Sequence, residues 1–209
     1  MRAVITTVAI GIVSFLLLGI KLSAHARSPE DLTMDEIRRL AARDILVAVA
    51  PDSAGGGKID AVIEIATSPS KLISLMRDCG RSPTFIEGLT SCGILSQSPE
   101  ANSDVREHIV KKFWFVPETR SVFKSIYDGQ RSITFHRVEG DLRTMEGQWL
   151  LEPLQGGVRT RLFYIAHIDP GVPLPSGIVR AAIEAELPRT LAALRLEATR
   201  NSLSVAITN

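Results

Sequence analysis

Apolar and polar positions alternate along most of residues 89–168, and turn-like segments separate the alternating runs. Alternation with a period of two is typical of a β-strand, and strands joined by short turns form an antiparallel sheet. The pattern predicts strands near residues 89–97, 105–116, 120–127, 132–138, 142–152 and 158–168. We therefore expect a long antiparallel meander in this part of the chain.

Large apolar side chains occupy both faces of the predicted strand around Trp149. Met145, Trp149 and Leu151 share one phase, whereas Leu142 and Leu150 lie on the other. A sheet with one face on the core and one in water would show a single apolar phase. We expect a helix to cover one face, while the other faces solvent or packs against the N-terminal hairpin and helix. The phases alone do not decide which face is which.

The residues before the meander predict a helix, a β-hairpin and a second helix. Thr33-Met-Asp-Glu36 has the spacing of a capping box, which begins a short helix. Residues 44–50 and 58–66 are apolar or alternating, and the glycine-rich turn at 51–57 joins them into a hairpin. Ser68-Pro69 then begins a helix, because serine caps helices and proline is tolerated in their first turn.

A long amphipathic helix is predicted from Ser176 to about Asn201. Its apolar stripe has a period close to 3.6 residues and consists of Ile178, Val179, Ala182, Ile183, Leu187, Leu191 and Leu194. Pro188 cannot donate a hydrogen bond to Glu184, so we expect a bend there. The stripe fits along a curved antiparallel sheet, and one helix need not fill the space beneath such a sheet. The pattern therefore predicts a cavity between helix and sheet.

Composition indicates a globular domain and gives no case for nucleic-acid binding. The chain has 209 residues, 45% of them hydrophobic, which suffices to bury a core. It has 24 basic and 23 acidic residues; without Arg2 and Lys21 of the N-terminal segment, 22 remain against 23, a net charge of −1. Nucleic-acid binding depends on clustered positive charge, so we expect no nucleic-acid partner.

Residues 1–26 have the pattern of a secretory signal peptide. Arg2 precedes a nearly unbroken apolar run from Ala3 to Ile20, and Ala24-His25-Ala26 offers the small residues that a signal peptidase recognises. We therefore expect cleavage after Ala26 and export to the periplasm. The alternative is an uncleaved N-terminal anchor, because the apolar run approaches the length of a membrane span.

Two cysteines, Cys79 and Cys92, follow the N-terminal segment, and each precedes a glycine. An even number of cysteines in an oxidising compartment favours a disulfide, and the alternative is a pair of buried free thiols. No Cys-x-x-Cys spacing or neighbouring histidine completes a metal site. We therefore predict a disulfide between these residues and no metal.

The order of the elements and three stretches of sequence resemble a known family. The stretches are EGLTSCGIL at 87–95, GDLRTMEGQWLLEPLQGGVRTRLFYIAHIDPG at 140–171 and PRTLAALR at 188–195. Together with the meander and the C-terminal helix they are similar to the START-like (SRPBCC) superfamily, in the branch of polyketide cyclases and coenzyme Q-binding proteins. The resemblance covers roughly residues 58–200, the size of one domain.

This resemblance implies an α+β helix-grip fold, in which a curved antiparallel sheet wraps around the long C-terminal helix and leaves a hydrophobic tunnel. It implies a lipid, an isoprenoid quinone or a polycyclic molecule as the ligand. The chain would then consist of a signal peptide at 1–26, an N-terminal helix and strand at 27–57 and a START-like ligand-binding domain at 58–203.

Aromatic residues are grouped on the predicted sheet and are candidates for the cavity wall. With a methionine and two residues of the C-terminal helix, the predicted ligand-binding residues are Phe113, Phe115, Tyr127, Phe135, Met145, Trp149, Tyr164, Ile183 and Leu187. The alternative for each is an ordinary place in the core. The run from Phe113 to Val116, next to Pro117, is also a candidate for transient membrane contact during ligand loading.

Three histidines, His108, His136 and His167, lie on different predicted strands and are the candidate acid–base groups. They lack the short spacings of a metal site, so the enzymatic hypothesis is a single histidine acting as general base.

Charged residues near Trp149 are candidates to fix the polar head of an apolar ligand; they are Arg137, Asp141, Arg143 and Glu146. The alternative is that they face water or pair across strands.

No nucleophile elbow, phosphate loop or dinucleotide fingerprint is present, and we expect no cofactor. We predict an exported protein that binds, and by extension carries, a hydrophobic small molecule under the C-terminal helix. Two alternatives stay open. One is a cyclase- or hydrolase-like enzyme acting on a polycyclic or acyl substrate. The other is an envelope structural or interaction protein whose cavity is filled by side chains.

Overall fold

The computed structural model describes residues 29–52, 56–111, 118–171 and 175–206. Its strands are β1 (Leu46–Pro51), β2 (Gly57–Ile65), β3 (Leu89–Ser98), β4 (Ser103–Val110), β5 (Thr119–Asp128), β6 (Ser132–Gly140), β7 (Thr144–Leu154) and β8 (Arg159–Asp169). Its α-helices are α1 (Met34–Ala41), α2 (Pro69–Arg77) and α3 (Ser176–Ala206). They form one curved antiparallel sheet with a long C-terminal helix against it, so the predicted α+β helix-grip fold is confirmed.

The sheet has the order β1-β2-β8-β7-β6-β5-β4-β3, so the meander from β3 to β8 returns to the N-terminal hairpin. In the hairpin Leu46 pairs with Val62. In the next ladder Val62 pairs with Phe163, which places the last strand beside the second. Sequential strands joined by short turns pair with each other, as the alternating pattern predicted.

Helix α1 covers part of the outer face of the sheet, the face turned away from α3. Its buried residue Leu40 forms an apolar cluster with Leu46, Val62 and Phe163, and Leu150 packs against that cluster. This contact explains why large apolar residues occupy both phases of the strand around Trp149. One phase faces α3, and part of the other faces α1.

The inner face of the sheet forms the main core with α2 and α3. Leu191 and Leu194 of α3 are 1% and 2% exposed and belong to the same cluster as Ile63 and Leu162. The predicted stripe of α3 needs one correction, because Ile178 is 56% exposed and Ala182 is also exposed. The apolar stripe of the sequence continues to the N-terminus of α3, but Ile178 and Ala182 do not pack against the sheet.

Local caps begin the two shorter α-helices as the sequence predicted. The Glu36 amide donates to Thr33 Oγ1 at 3.3 Å, and the Thr33 amide donates to Glu36 Oε2 at 2.9 Å, which completes a capping box. Ser68 Oγ accepts a hydrogen bond from the Lys71 amide, and Pro69 occupies the first turn of α2. Helix α3 continues through Pro188.

The structure contains the Cys79–Cys92 disulfide, which links the segment after α2 to strand β3. Between the two cysteines lies a short 3₁₀ turn, Ser82–Thr84. Across residues 29–52, 56–111, 118–171 and 175–206, none of the helices combines the length and the apolar composition needed to cross a membrane.

Candidate ligand-binding site

A cavity of about 270 Å³ lies between the inner face of the sheet and the C-terminal part of α3. It is lined mainly by apolar side chains, namely Met76, Phe85, Ile86, Phe123, Ile133, Phe135, Met145, Trp149, Leu187, Leu191 and Leu194. Its polar or amphipathic lining residues are Ser82, Arg106, His108, Ser125, Tyr127, Tyr164 and Thr190. The volume is close to the lower end of the roughly 300–1,000 Å³ of small-molecule sites, so the cavity suits a small apolar ligand.

Aromatic rings form a continuous wall along strands β5 to β8. Trp149 and Tyr164 pair across β7 and β8 and stack with their centroids 4.0 Å apart. Phe135 stacks on Tyr164 at 6.2 Å, and Phe123 meets Phe135 edge-on at 6.4 Å. Rings in these arrangements attract each other beyond simple area burial, so the wall is preformed.

Gly147 explains the spacing of the Gly-x-Trp motif in β7. A Cβ atom there would collide with the main-chain carbonyl of Ile165 and would lie 2.9 Å from the ring of Phe135. Only glycine lets the backbone of β7 pass so close to the neighbouring strand and to that ring. The glycine thereby keeps Phe135 and Trp149 in one surface.

A buried ion pair closes the β4–β5 side of the cavity. Arg106 donates from Nε to Asp104 Oδ1 at 2.9 Å and from Nη2 to Asp104 Oδ2 at 2.7 Å. Nη2 also donates to the Tyr127 hydroxyl at 2.6 Å, and that hydroxyl donates to Asp104 Oδ2 at 2.5 Å. Arg106 Nη1 donates to the main-chain carbonyl of Met76 at 3.2 Å. The two charges therefore satisfy each other inside the protein.

Burial and these bonds change the pKa values of the network. Burial alone would lower the pKa of Arg106, but its hydrogen bond to Asp104 and the nearby negative charge raise that pKa overall. Burial, together with the hydrogen bond to Asp104, raises the pKa of Tyr127 to about 12. At neutral pH the arginine is thus charged and the phenol is protonated.

His108 lies beside this network with its ring edge-on to Phe123, the centroids being 4.9 Å apart. Burial, followed by the positive charge of Arg106, lowers the pKa of His108 to about 4. The ring is therefore neutral at pH 7. Its Nε2 atom is buried and has no hydrogen-bond partner among the described residues. A buried polar atom without a partner is unusual in a folded protein, and a water molecule or a polar group of a ligand can supply the missing hydrogen bond.

The structure brings six of the predicted ligand-binding residues together in this cavity, namely Tyr127, Phe135, Met145, Trp149, Tyr164 and Leu187. Ile183 packs against the adjoining cluster around Ile59, one turn of α3 away from the lining. Phe113 and Phe115 lie outside the described residues. The role of these residues in binding stays a prediction.

His136 and His167 lie on the opposite face of the sheet. They line an open groove of about 1020 Å³, where His167 Nε2 is 3.0 Å from Asp52 Oδ2 and His167 Nδ1 is 3.8 Å from Glu146 Oε1. The groove is larger than the cavity, but it is open to solvent and does not exclude water. Within the described ranges no group of three or more His, Cys, Asp or Glu side chains is placed to hold a metal ion.

The charged residues near Trp149 do not line the cavity. Glu146 faces the outer groove, and Asp141 accepts a hydrogen bond from the Arg120 amide at 2.7 Å. Arg143 pairs with Asp169 at 3.2 Å. Arg137 donates to the Gly140 carbonyl at 2.8 Å. These contacts agree with the alternative in which strand charges pair or face water.

Sequence reasoning missed the polar side of the cavity. Asp104, Arg106 and His108 occupy positions i, i+2 and i+4 of one strand and therefore share a face. Their polar character resembles that of a strand that faces solvent. The one signal that they are buried is that they lie on the same face of the sheet as the buried Phe123 and Tyr127 of the next strand. Phe85 and Ile86 were missed because they lie between α2 and β3, in a segment for which the sequence predicted neither a helix nor a strand.

The sequence matches the family model described as "Polyketide cyclase / dehydrase and lipid transport" over residues 65–195, more than half of the chain. The chain belongs to this polyketide cyclase / dehydrase and lipid transport family. The match begins at the end of β2 and ends within α3, so it contains every strand of the meander and the whole cavity lining. It also confirms the predicted membership of the START-like superfamily. A comparison with curated proteins gave no significant match.

Solved structures with the same fold include three relevant to this family. A STAR-related lipid transfer protein from Xanthomonas axonopodis is 18% identical with a TM-score of 0.62, over 74% of this chain and 93% of that one. The Zhui aromatase/cyclase from a Streptomyces species is 18% identical with a TM-score of 0.56, over 69% and 94%. The lipid transfer and protein localization domain of human StarD13 is 14% identical with a TM-score of 0.59, over 78% and 96%. At these identities the similarity establishes the fold, which together with the family implies binding of a hydrophobic ligand.

Proposed function

We propose that this protein binds and carries a single hydrophobic small molecule, of lipid, isoprenoid quinone or polycyclic type, in the cavity under α3. The observation that carries the proposal is the unfilled, mainly apolar volume of about 270 Å³ beneath α3. Burial of apolar surface contributes about 25 cal/mol per Å², which is enough to retain a ligand that water dissolves poorly. Side chains do not fill this space, which weighs against a purely structural role.

Native mass spectrometry of protein purified from its own host tests this proposal. We expect a bound hydrophobic molecule of one kind. The variant Thr190→Phe places a ring in the cavity lining and should be purified empty, whereas Leu196→Phe, on the exposed side of the same helix, should keep the ligand. An empty wild-type protein, or equal occupancy in both variants, would contradict the proposal.

For ligand entry we propose that the N-terminal half of α3, together with the proline-rich link at 169–175 before it, forms a gate; residues 172–174 of this link lie outside the described residues. Among the described side chains of residues 177–188 only Val179 is buried, so few contacts hold this half. Ile183 lies close to the sheet, because its Cδ1 is 3.4 Å from the position of a Cβ at residue 57. A cysteine pair at 57 and 183, once oxidised, should slow ligand exchange relative to the single variant Ile183→Cys. Unchanged exchange would remove this gate from consideration.

We further propose that the mature protein is exported to the periplasm. The support is the pattern of residues 1–26, a basic residue, an apolar run and small residues before the expected cleavage point, together with the Cys79–Cys92 disulfide. N-terminal sequencing of the protein from a periplasmic fraction should begin at Arg27. A full-length chain in the membrane fraction would support the anchored alternative.

We also propose that the protein contacts a membrane transiently while it loads its ligand, and co-sedimentation with lipid vesicles tests this contact.

Catalysis is the second candidate function, and His108 is the observation that favours it. Of the three candidate histidines, His108 alone lines the cavity, while the other two face the outer groove. A pKa near 4 makes a weak general base, because an efficient base has a pKa near the working pH. The geometry therefore supports binding better than turnover. If the protein shows turnover and the variant His108→Gln loses it while retaining the bound ligand, catalysis would be the better supported function.

A further inference from the structure

Building on the proposed function, we infer that the cavity selects an uncharged ligand bearing one hydroxyl or carbonyl oxygen, and that His108 Nε2 is the group that recognises it. Among the described residues that line the cavity, the charged one is Arg106, and its charge is paired with that of Asp104.

The buried ion pair is not available to a ligand. Both carboxylate oxygens of Asp104 already accept hydrogen bonds, Oδ1 from Arg106 Nε and Oδ2 from Arg106 Nη2 and the Tyr127 hydroxyl. Arg106 uses Nη2 for Tyr127 as well and Nη1 for a main-chain carbonyl of α2. An anionic head group would meet an arginine whose charge Asp104 already offsets, and an uncompensated buried charge is costly. A carboxylate or a phosphate therefore does not fit.

Other hydrogen-bonding groups in the lining are neutral. Ser82 already donates to the Asp78 carbonyl at 3.1 Å. Burial raises the pKa of Tyr164 well above its usual range, so this phenol is protonated, and Ser125 and Thr190 carry hydroxyls. A neutral surface of this kind accommodates an uncharged oxygen but gives a charged group no counter-ion.

Among the described lining residues, His108 Nε2 is the fully buried side-chain polar atom that lacks a hydrogen-bond partner. It is buried without a partner among the described residues, and its ring is held against Phe123. A neutral imidazole offers one donor and one acceptor nitrogen, so Nε2 pairs with a carbonyl in one tautomer and with a hydroxyl in the other. A ligand oxygen there would satisfy it, while the aromatic wall holds the apolar remainder.

Tryptophan quenching by brominated probes tests this inference. The chain has two tryptophans, and in a Trp114→Phe background Trp149 of the cavity wall reports contact with bromine. The probes are decane, decanol and decanoate chains, each with a terminal bromine. At pH 7 we expect the alcohol to bind about 3- to 10-fold more tightly than the alkane, the effect of one neutral hydrogen bond, and the carboxylate to bind most weakly.

Variants of two histidines assign the recognition. His108→Leu should remove the preference for the alcohol over the alkane and leave alkane binding intact. His136→Leu, on the outer face, should keep that preference. Equal binding of alcohol and alkane, a preference that survives His108→Leu, or tightest binding of the carboxylate would overturn the inference while the proposed function stands. Failure of all three probes to quench would overturn both.

Discussion

The two halves of α3 are attached to the rest of the molecule very differently. In the C-terminal half, Leu191 and Leu194 are almost fully buried, and Glu197, 5% exposed, pairs with Arg81 at 2.6 Å. In the N-terminal half Ile178 is 56% exposed. The cavity lies along the well-packed half and reaches Leu187, near the point where the packing becomes sparse. One continuous helix therefore has a C-terminal half that is fixed against the core and an N-terminal half that makes few contacts.

The packed half belongs to a larger anchored region. It comprises residues 189–200 of α3, the segment 78–88 that carries Arg81, and the Asp104–Arg106–Tyr127 network. Arg106 ties this network to the carbonyl of Met76 at the end of α2. Under the proposed function, the well-packed elements would hold the ligand, and the loosely packed half of α3 would move when the ligand enters or leaves.

Truncation of one buried and one exposed residue of α3 should give the largest difference between the halves. We expect Leu191→Ala to lower the free energy of unfolding by about 2–5 kcal/mol, since it removes a fully buried side chain and leaves a larger cavity. Ile178→Ala should change it by less than about 0.5 kcal/mol. Urea unfolding measures both. Similar losses in the two variants would mean that the halves are equally anchored.

Loss of the disulfide should loosen the anchored region through the segment that carries Arg81. The bond joins residues 13 apart, and the double variant Cys79→Ser with Cys92→Ser should lose about 3 kcal/mol in the entropic model. Chemical denaturation with and without reductant measures this effect. The wild type should respond to the reductant and the double variant should not. A wild-type stability that is independent of reductant would contradict the prediction.

Acid should weaken the anchored region through His108. Its pKa is about 4 in the folded protein against about 6.5 unfolded, so the unfolded state binds the proton first. The contribution of His108 to the free energy of unfolding is therefore fully present above about pH 6.5. It falls by up to about 3 kcal/mol as the pH drops toward 4. Arg106 and Asp104 are the charged groups that influence this titration. The variant His108→Gln should show a flatter pH profile between pH 6.5 and 5, and parallel profiles would refute the assignment.

Removal of one hydroxyl should have the smallest effect. Tyr127→Phe leaves Arg106 and Asp104 without a shared partner, which we expect to cost about 1–2 kcal/mol. Tyr164→Phe is the matched control, because its ring lines the same cavity outside the ion-pair network, and it should cost less than about 0.5 kcal/mol. Thermal or urea unfolding compares them. Equal losses would show that the network adds nothing to the anchored region.

Alternation and capping signals predicted the strands and helices because each of these signals acts locally. The sequence also named Phe135, Trp149 and Tyr164 as candidates for the cavity wall, but that they share one face depends on the strand register, which only the structure supplies. The polar side did not, because a buried Asp104–Arg106 pair has the same residue types as a solvated strand. The exposure of Ile178 was also unpredictable, since the helical period does not reveal where the sheet ends.

The most direct test of a ligand cavity under α3 is the position of a heavy atom in a crystal soaked with decanol carrying a terminal bromine. Bromine scatters anomalously, and we predict one strong peak inside the cavity, in contact with side chains such as Trp149, Leu187 or Leu191. A cavity that stays empty at saturating probe, with peaks only on the outer surface, would contradict the account.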